Sequence, residues 1–344
     1  MAPHELLQRL FKRFSVQTAF TTALPTLGYY LTRMRAESAL SVSDKPALFT
    51  MNILPPMMTV WHHCVKKYLG DSVDTVIFDC SGELIASEFP GARVQKFLNF
   101  YAATKSQEFL DHIAKNRKIS WLCDDDMFII SPAAVELVQR ELAVPNTASL
   151  SFRPRNWWHF EINGTSHAPS GSYCLALNRE IVCDKEHISL APANGNEHPS
   201  DMGKPPKRYD TFDKANEVLL TKGYRCAVVP ETEQDKYVTG FSGMSGTVML
   251  LRHFTTPEQT LDFFTSQPAE KWDANVLYGT FSSLLAIECI QECYTTLMGR
   301  PYPLRSLPSK KALEDIRRAR EPHLGGGRSF KWIDEAGERL KKAL

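Results

Sequence analysis

The 344-residue chain lacks an excess of either charge, with 40 basic side chains against 39 acidic ones and a formal net charge of +1. A protein that coats nucleic acid needs a cationic surface to release counterions, so the global electrostatics give no support to such a partner. No CxxC pair, clustered Cys/His spacing or cleavable leader is present, and no run reaches the roughly 20 apolar residues of a spanning helix. There is no internal repeat. Most of the eight cysteines fall in strand-like apolar runs, as at Cys80, Cys123, Cys174 and Cys226. They read as small core residues in a reduced, cytoplasmic setting, which makes the Asn-Gly-Thr at Asn163 an accidental sequon. A hydrophobic content of 43% excludes wholesale disorder and is enough for a full core.

What charge there is sits unevenly. Residues 1–36 carry Arg9, Lys12, Arg13, Arg33 and Arg35 against Glu5, residues 300–344 carry 12 basic and 6 acidic side chains, and the middle is acidic. Glu5 to Phe14 reads as an amphipathic helix, with Leu6, Leu7, Leu10, Phe11 and Phe14 on one stripe and Arg9, Lys12 and Arg13 opposite. That stripe either docks on the protein's own core or attaches the chain peripherally to the inner face of a membrane. Ser15 to Leu31 is polar and interrupted by Pro25 and Gly28, which argues against a span.

From residue 47 the pattern alternates between β and α. Ala47 to Ile53, Val73 to Cys80 and Ile119 to Cys123 read as strands. Met57 to Tyr68, Arg93 to Asn116 and Pro132 to Leu142 read as helices. Strands alternating with helices predict an α/β fold, a mainly parallel sheet flanked by helices, and such sheets bind ligands at the carboxyl ends of their strands. Further on, Thr147 to Phe152, Ser172 to Leu177, Tyr224 to Val229 and the apolar run Thr247 to Leu251 read as strands. Asp213 to Lys222, Pro257 to Phe264 and Ala274 to Leu297 read as helices. The Pro-, Gly- and Asn-rich stretch 191–208 reads as a long loop, and a Gly325-Gly326-Gly327 hinge precedes a last short helix.

The strongest chemical signal is Asp124-Asp125-Asp126, directly after a buried strand. Three adjacent anions repel one another, and a cation offsets that charge; Mg²⁺ or Mn²⁺ suits such oxygen ligands and bridges phosphate. An acidic turn capping the next helix is the alternative.

In this context the chain resembles the GT-A class of nucleotide-sugar glycosyltransferases, especially its large synthase-like bacterial family. Val76-Ile77-Phe78-Asp79-Cys80-Ser81-Gly82 resembles that class's V-I-V-V-D-D-G-S strand end, with Cys80 in place of the second acid, and Asp124-Asp125-Asp126 fits its DxD motif. The resemblance covers roughly residues 47–255. It implies a GT-A-like (Rossmann-like) catalytic domain at 47–256, with 47–145 holding the nucleotide and 146–256 the acceptor. A helical extension at 1–46 and a basic helical region at 257–344 flank it.

The implied activity is metal-dependent hexosyl transfer from a nucleoside-diphosphate sugar, a UDP-sugar being favoured, to a saccharide or glycolipid acceptor, as in polysaccharide biosynthesis. The resemblance implies that Asp79 bonds the base or ribose, and that Asp124 and Asp125 face the donor. Asp124 and Asp126 would bracket the diphosphate through Mn²⁺ or Mg²⁺, with His253, read at the end of an apolar strand, as a further ligand. Asp210-Thr211-Phe212-Asp213, ahead of a helix and Gly223-Tyr224-Arg225, resembles the acidic pair that precedes the late strand in inverting members. Asp210 or Asp213 is then the catalytic base, although Asp213 also suits a helix cap.

Arg153, Arg155, Trp157 and Trp158 form the candidate acceptor wall, and the 191–208 loop a lid that excludes water. Two other readings stay open: a sugar nucleotidyltransferase, weakened by Asn52-Ile53-Leu54-Pro55-Pro56 where a Gly-rich basic signature is expected, and a non-catalytic carbohydrate-binding protein of the same fold.

Overall fold

The apolar runs that the sequence spaces with helices lie side by side in one sheet. The computed structural model describes residues 3–34, 38–156, 158–192, 209–268, 271–272 and 275–344. Its strands are β1 (Ala47–Asn52), β2 (Asp74–Asp79), β3 (Ala92–Lys96), β4 (Ile119–Cys123), β5 (Met127–Ile129), β6 (Thr147–Ser151), β7 (Phe160–Ile162), β8 (Thr165–His167), β9 (Cys174–Asn178), β10 (Arg225–Val228) and β11 (Val238–Gly240). The helices are α1 (Pro3–Met34), α2 (Pro55–Tyr68), α3 (Ala102–Glu108), α4 (Ala133–Leu142), α5 (Asp213–Thr221), α6 (Glu231–Gln234), α7 (Met244–His253), α8 (Pro257–Thr265), α9 (Asn275–Met298), α10 (Lys310–Arg320) and α11 (Lys331–Ala343).

Seven strands run in the order β10-β6-β9-β4-β1-β2-β3. β1 pairs in parallel with β2 and β4, β2 with β3, and β6 with β10, while β9 alone runs antiparallel, between β4 and β6. The fold is therefore α/β, a mainly parallel sheet flanked by helices. Alternate residues of each strand face opposite sides, and both sides are covered. Leu48, Ile77, Trp121, Leu150 and Ala176 pack under α2, α4, α7 and α9, in a core continuous with α10 and α11. Phe49, Val76, Phe78, Leu122 and Leu175 pack with Tyr29 of α1, Phe109 and Leu219. On that side Phe78 stacks on Phe97 at 4.3 Å and Phe49 on Phe109 at 4.6 Å between ring centroids.

Three segments depart from the sequence reading. Ala92–Lys96 is a strand, not the start of a helix: Val94, Phe97 and Leu98 imitate helical spacing, but pairing with β2 from Thr75↔Ala92 to Asp79↔Lys96 decides the matter. The helix of this region is shorter, α3 running into a π-helical turn at Phe109–Ile113. Thr247 to Leu251 belongs to a helix, because α7 is buried on several sides, by Leu10 and Phe14 of α1 at Met249 and Leu250, and by α9 at Thr247, whose hydroxyl donates to the Thr280 carbonyl at 3.0 Å. A short apolar run does not distinguish a buried helix from a buried strand.

α1 continues unbroken through Pro25 and Gly28. An interior proline costs about 3 kcal/mol, but α1 is held along its length. Tyr29 sits against Phe78 and Phe97, Arg33 is ion-paired with Glu108 at 2.7 Å, and the Leu98 amide donates to Thr26 at 3.0 Å.

Candidate functional site

The carboxyl ends of β1, β2 and β4 open on one side of the sheet, as parallel strands in neighbouring register must. There a cleft of about 280 Å³ is lined by Met51 and Ile53 at the end of β1, Asn99 to Ala102 and Lys105 around the start of α3, and Asp124, Asp125 and Asp126 after β4. Phe11 of α1 and Ser245 and Met249 of α7 close the remaining side. A second hollow of about 150 Å³ shares Met51, Ala102 and Asp124 with it and adds Tyr173, Asp210 and Thr211. Four carboxylates thus border two adjoining hollows that meet at Asp124.

The triplet is fixed by its backbone. The Asp124 amide donates to the Tyr173 carbonyl at 2.8 Å and the Phe241 amide to the Asp126 carbonyl at 2.9 Å, as β11 pairs antiparallel with β5. β11 passes so close that a Cβ at Gly240 would stand 2.5 Å from the Asp126 carbonyl oxygen, so this position takes only glycine.

Asp124 and Asp126 are half-buried and Asp125 is buried. Burial, followed by the charges of Asp126 and Asp210, raises Asp124 well above the ordinary carboxylate range, while Arg155 pulls the other way. Asp125 is raised by burial and by both neighbours, and its Oδ2 has no hydrogen-bond partner. Burial pushes Asp126 up to about 7, against backbone N–H groups of Asp126 and Met244, the latter at the start of α7. Among the described residues no group of three or more His, Cys, Asp or Glu side chains is drawn together as a ready metal site.

Asp79 has a different task from the donor contact expected of it. It is fully buried, and its Oδ1 accepts from Asn52, from the Ser81 amide and hydroxyl and from the Gly82 amide, while Oδ2 accepts from the Leu84 amide at 3.0 Å. The carboxylate is consumed in folding the turn after β2.

The two arginines also part company. Arg155 is buried and bonds Asp213 at 2.9 Å, Asp210 at 3.2 Å and the Tyr173 hydroxyl at 2.6 Å, so it holds acids in place instead of meeting an acceptor. Burial opposes its charge, but Asp213, Tyr173 and Asp210 more than offset this. Arg153 is paired with Asp235 at 2.5 Å and lies outside the lining of either hollow.

Asp213 is also buried, and pushed up to about 6 by burial despite Arg155; its Oδ2 accepts from the Asp210 amide at 2.8 Å. Only Asp210 of that pair is exposed, at 59%, and borders the hollow. Arg155→Met is therefore expected to destabilise the protein by about 3–5 kcal/mol, because Asp213 would remain buried without its cation. Chemical denaturation reads this, and the double variant with Asp213→Asn should recover part of the loss.

Trp158 is completely buried, stacked on Tyr209 at 5.6 Å and edge-on to Phe160 at 4.7 Å, so it belongs to the core and not to an acceptor wall. Trp157 and residues 193–208, most of the expected lid, lie outside the described residues. His253 is exposed at the end of α7, and the hollow it lines with Arg13, Arg252 and Leu10 does not include the aspartates. A histidine among arginines one turn beyond the cleft is poorly placed to be a ligand.

Sequence reading missed Lys105, the single basic side chain among the cleft's lining residues. It is buried, with its ammonium donating to the Phe100 carbonyl at 2.6 Å. Its signal was hidden by the helix assigned across 93–116.

No protein-family model matches the chain, and no curated protein does. Among solved structures it is similar to the mannosyltransferase PcManGT from Pyrobaculum calidifontis in complex with GDP-Man and Mn²⁺, at 13% identity, 97% coverage of each chain and a TM-score of 0.40.

Proposed function

We propose that the chain is a metal-dependent glycosyltransferase of the GT-A class, which moves a sugar from a nucleoside diphosphate to a hydroxyl of a saccharide or glycolipid acceptor. The observation that carries the reading is the pair of adjoining hollows at the carboxyl ends of β1 and β4, one lined by Asp124, Asp125 and Asp126 and the other by Asp124 and Asp210. Asp124 and Asp126 fit a hard divalent cation: both are half-buried, and both line the cleft. Magnesium is commonly held by one or two carboxylates with phosphate oxygens completing its shell, which suits the small number of protein ligands. When bound, the ion would neutralise charge on the departing diphosphate.

The chain's own groups carry the remaining tasks. Lys105 is in place to meet phosphate, and its buried ammonium is most effective in a site with little water. Asp210 accepts the proton of the acceptor hydroxyl as that oxygen attacks the anomeric carbon. Arg155 and the buried Asp213 act as positioning residues that fix the orientation of Asp210. Residues 47–145 then serve the nucleotide and 146–256 the acceptor.

The test is a thermal shift with UDP and Mn²⁺ at two pH values. Asp126 titrates near 7 in the fold against an ordinary value of 3.8. Its neutral form therefore contributes stability that is complete below about pH 4 and is lost as pH rises through 7. Metal competes with that proton, so the combined ligands should raise Tm more at about pH 8 than at about pH 5.5, and more than either ligand alone. A shift independent of metal, or larger in acid, would count against the reading.

A further inference from the structure

The fold leaves the apolar face of α1 turned outward. Val16, Phe20, Leu24, Leu27, Leu31 and Met34 recur at intervals of three or four residues, which sets them on one stripe, and each is 55–85% exposed. The opposite side of this stretch buries Thr18, Thr22, Thr26 and Tyr29. The threonine hydroxyls are satisfied by carbonyls one turn back, Thr18 by Phe14, Thr22 by Thr18 and Thr26 by Thr22. A helix serving only its own core would carry these two faces the other way round. The stripe anticipated from the sequence, Leu6 to Phe14, is in contrast partly occupied: Leu10 and Phe14 are packed on Met249 and Leu250.

The outward face becomes basic toward the start of the helix. Arg9 lies seven residues before Val16, Arg13 seven before Phe20 and Lys12 four before Val16, so all three continue the stripe. They are exposed, and among the described residues none of the three has an ion-pair partner. At the other basic end of the chain Arg317 pairs with Asp334, and Lys310 and Lys341 with Glu292.

We infer that this face of α1 docks on an anionic lipid surface, the apolar stripe entering the boundary between headgroups and acyl chains and Arg9, Lys12 and Arg13 meeting headgroup phosphates. No helix among the described residues is long and apolar enough to cross a membrane, so α1 lies along the surface for about 48 Å. A second copy of the chain is the poorer occupant: the outward face offers three bases but only Glu5 as an acid, so two such faces lack complementary charge. The inference is independent of the chemistry assigned to the cleft, although the helix that seats on lipid also supplies Phe11 to the cleft wall.

Flotation of the full-length protein with vesicles tests this. Binding is expected to phosphatidylcholine vesicles containing phosphatidylglycerol and not to phosphatidylcholine alone. The triple variant Phe20→Glu, Leu24→Glu, Leu27→Glu should bind at least about tenfold more weakly, and so should Arg9→Glu, Lys12→Glu, Arg13→Glu, with the salt dependence of binding lost in the second. Both sets replace exposed side chains, and unchanged melting curves establish that each variant folds. Undiminished vesicle binding by either variant overturns the proposal. So does a wild-type protein that ignores anionic vesicles, and a dimeric wild type that the first variant renders monomeric would then identify the stripe as a subunit seam.

Discussion

Asp126→Asn is expected to lower sugar transfer by about 10²–10³-fold while leaving the metal-free protein as stable as the wild type or more so. The two effects have one cause. Burial pushes this carboxyl up to about 7, so above neutral pH the fold holds a half-buried anion beside Asp124. An amide of the same shape keeps the contacts with the start of α7 and loses the repulsion with Asp124. What it cannot do is offer a charged oxygen to a divalent ion. Initial rates of nucleotide release and melting curves taken without metal check the pair of outcomes. A variant that keeps wild-type turnover would show that no essential ion is held here. One that loses turnover by unfolding would melt well below the parent.

Asp210→Asn should lower kcat by about 10²–10⁴-fold, with little change in the KM for the donor. Asp210 borders the hollow at Asp124 and is largely exposed, so its removal leaves no buried charge unpaired. Arg155 stays paired with Asp213 at 2.9 Å, and the local structure therefore persists. On the proposed reading the donor is held by the triplet and Lys105, whose own side chains this substitution leaves unchanged. Steady-state kinetics with varied donor and acceptor separate the parameters. An unchanged kcat would mean that the acceptor proton leaves by another route, as when the departing phosphate takes it, and would remove Asp210 from the catalytic set.

The sheet was largely legible in the sequence because its inner strands are continuous apolar runs, such as Val76-Ile77-Phe78, ended by turn residues. Asp124 to Asp126 were legible for the same reason: three acids directly after a buried strand stand at the ligand-binding end of the sheet. What escaped depended on neighbours remote in the chain. Ala92 to Lys96 is half-exposed at an edge, and only β2 makes it a strand. Thr247 to Leu251 is apolar all round because α1 and α9 enclose it, information that its own five residues do not hold. The residue type suggested a ligand contact for Asp79, Arg155 and Trp158 alike, but burial commits all three to the protein itself. No spacing rule shows which polar side chain will find its partners at home.

The single reversed strand has a consequence for how this protein is able to diversify. Because β9 runs against its neighbours, its beginning, with Tyr173 just ahead, lies beside Asp124, at the edge where the parallel strands finish. The chain from the end of β6 to the start of β9, including the β7–β8 hairpin, therefore departs from and returns to the rim of the adjoining hollows without crossing the sheet. Insertions or exchanges in that excursion remodel one bank of the opening while the backbone under the three aspartates keeps its anchorage to β11. The shape of that bank is thus open to revision by local editing, separately from the backbone that carries the aspartates.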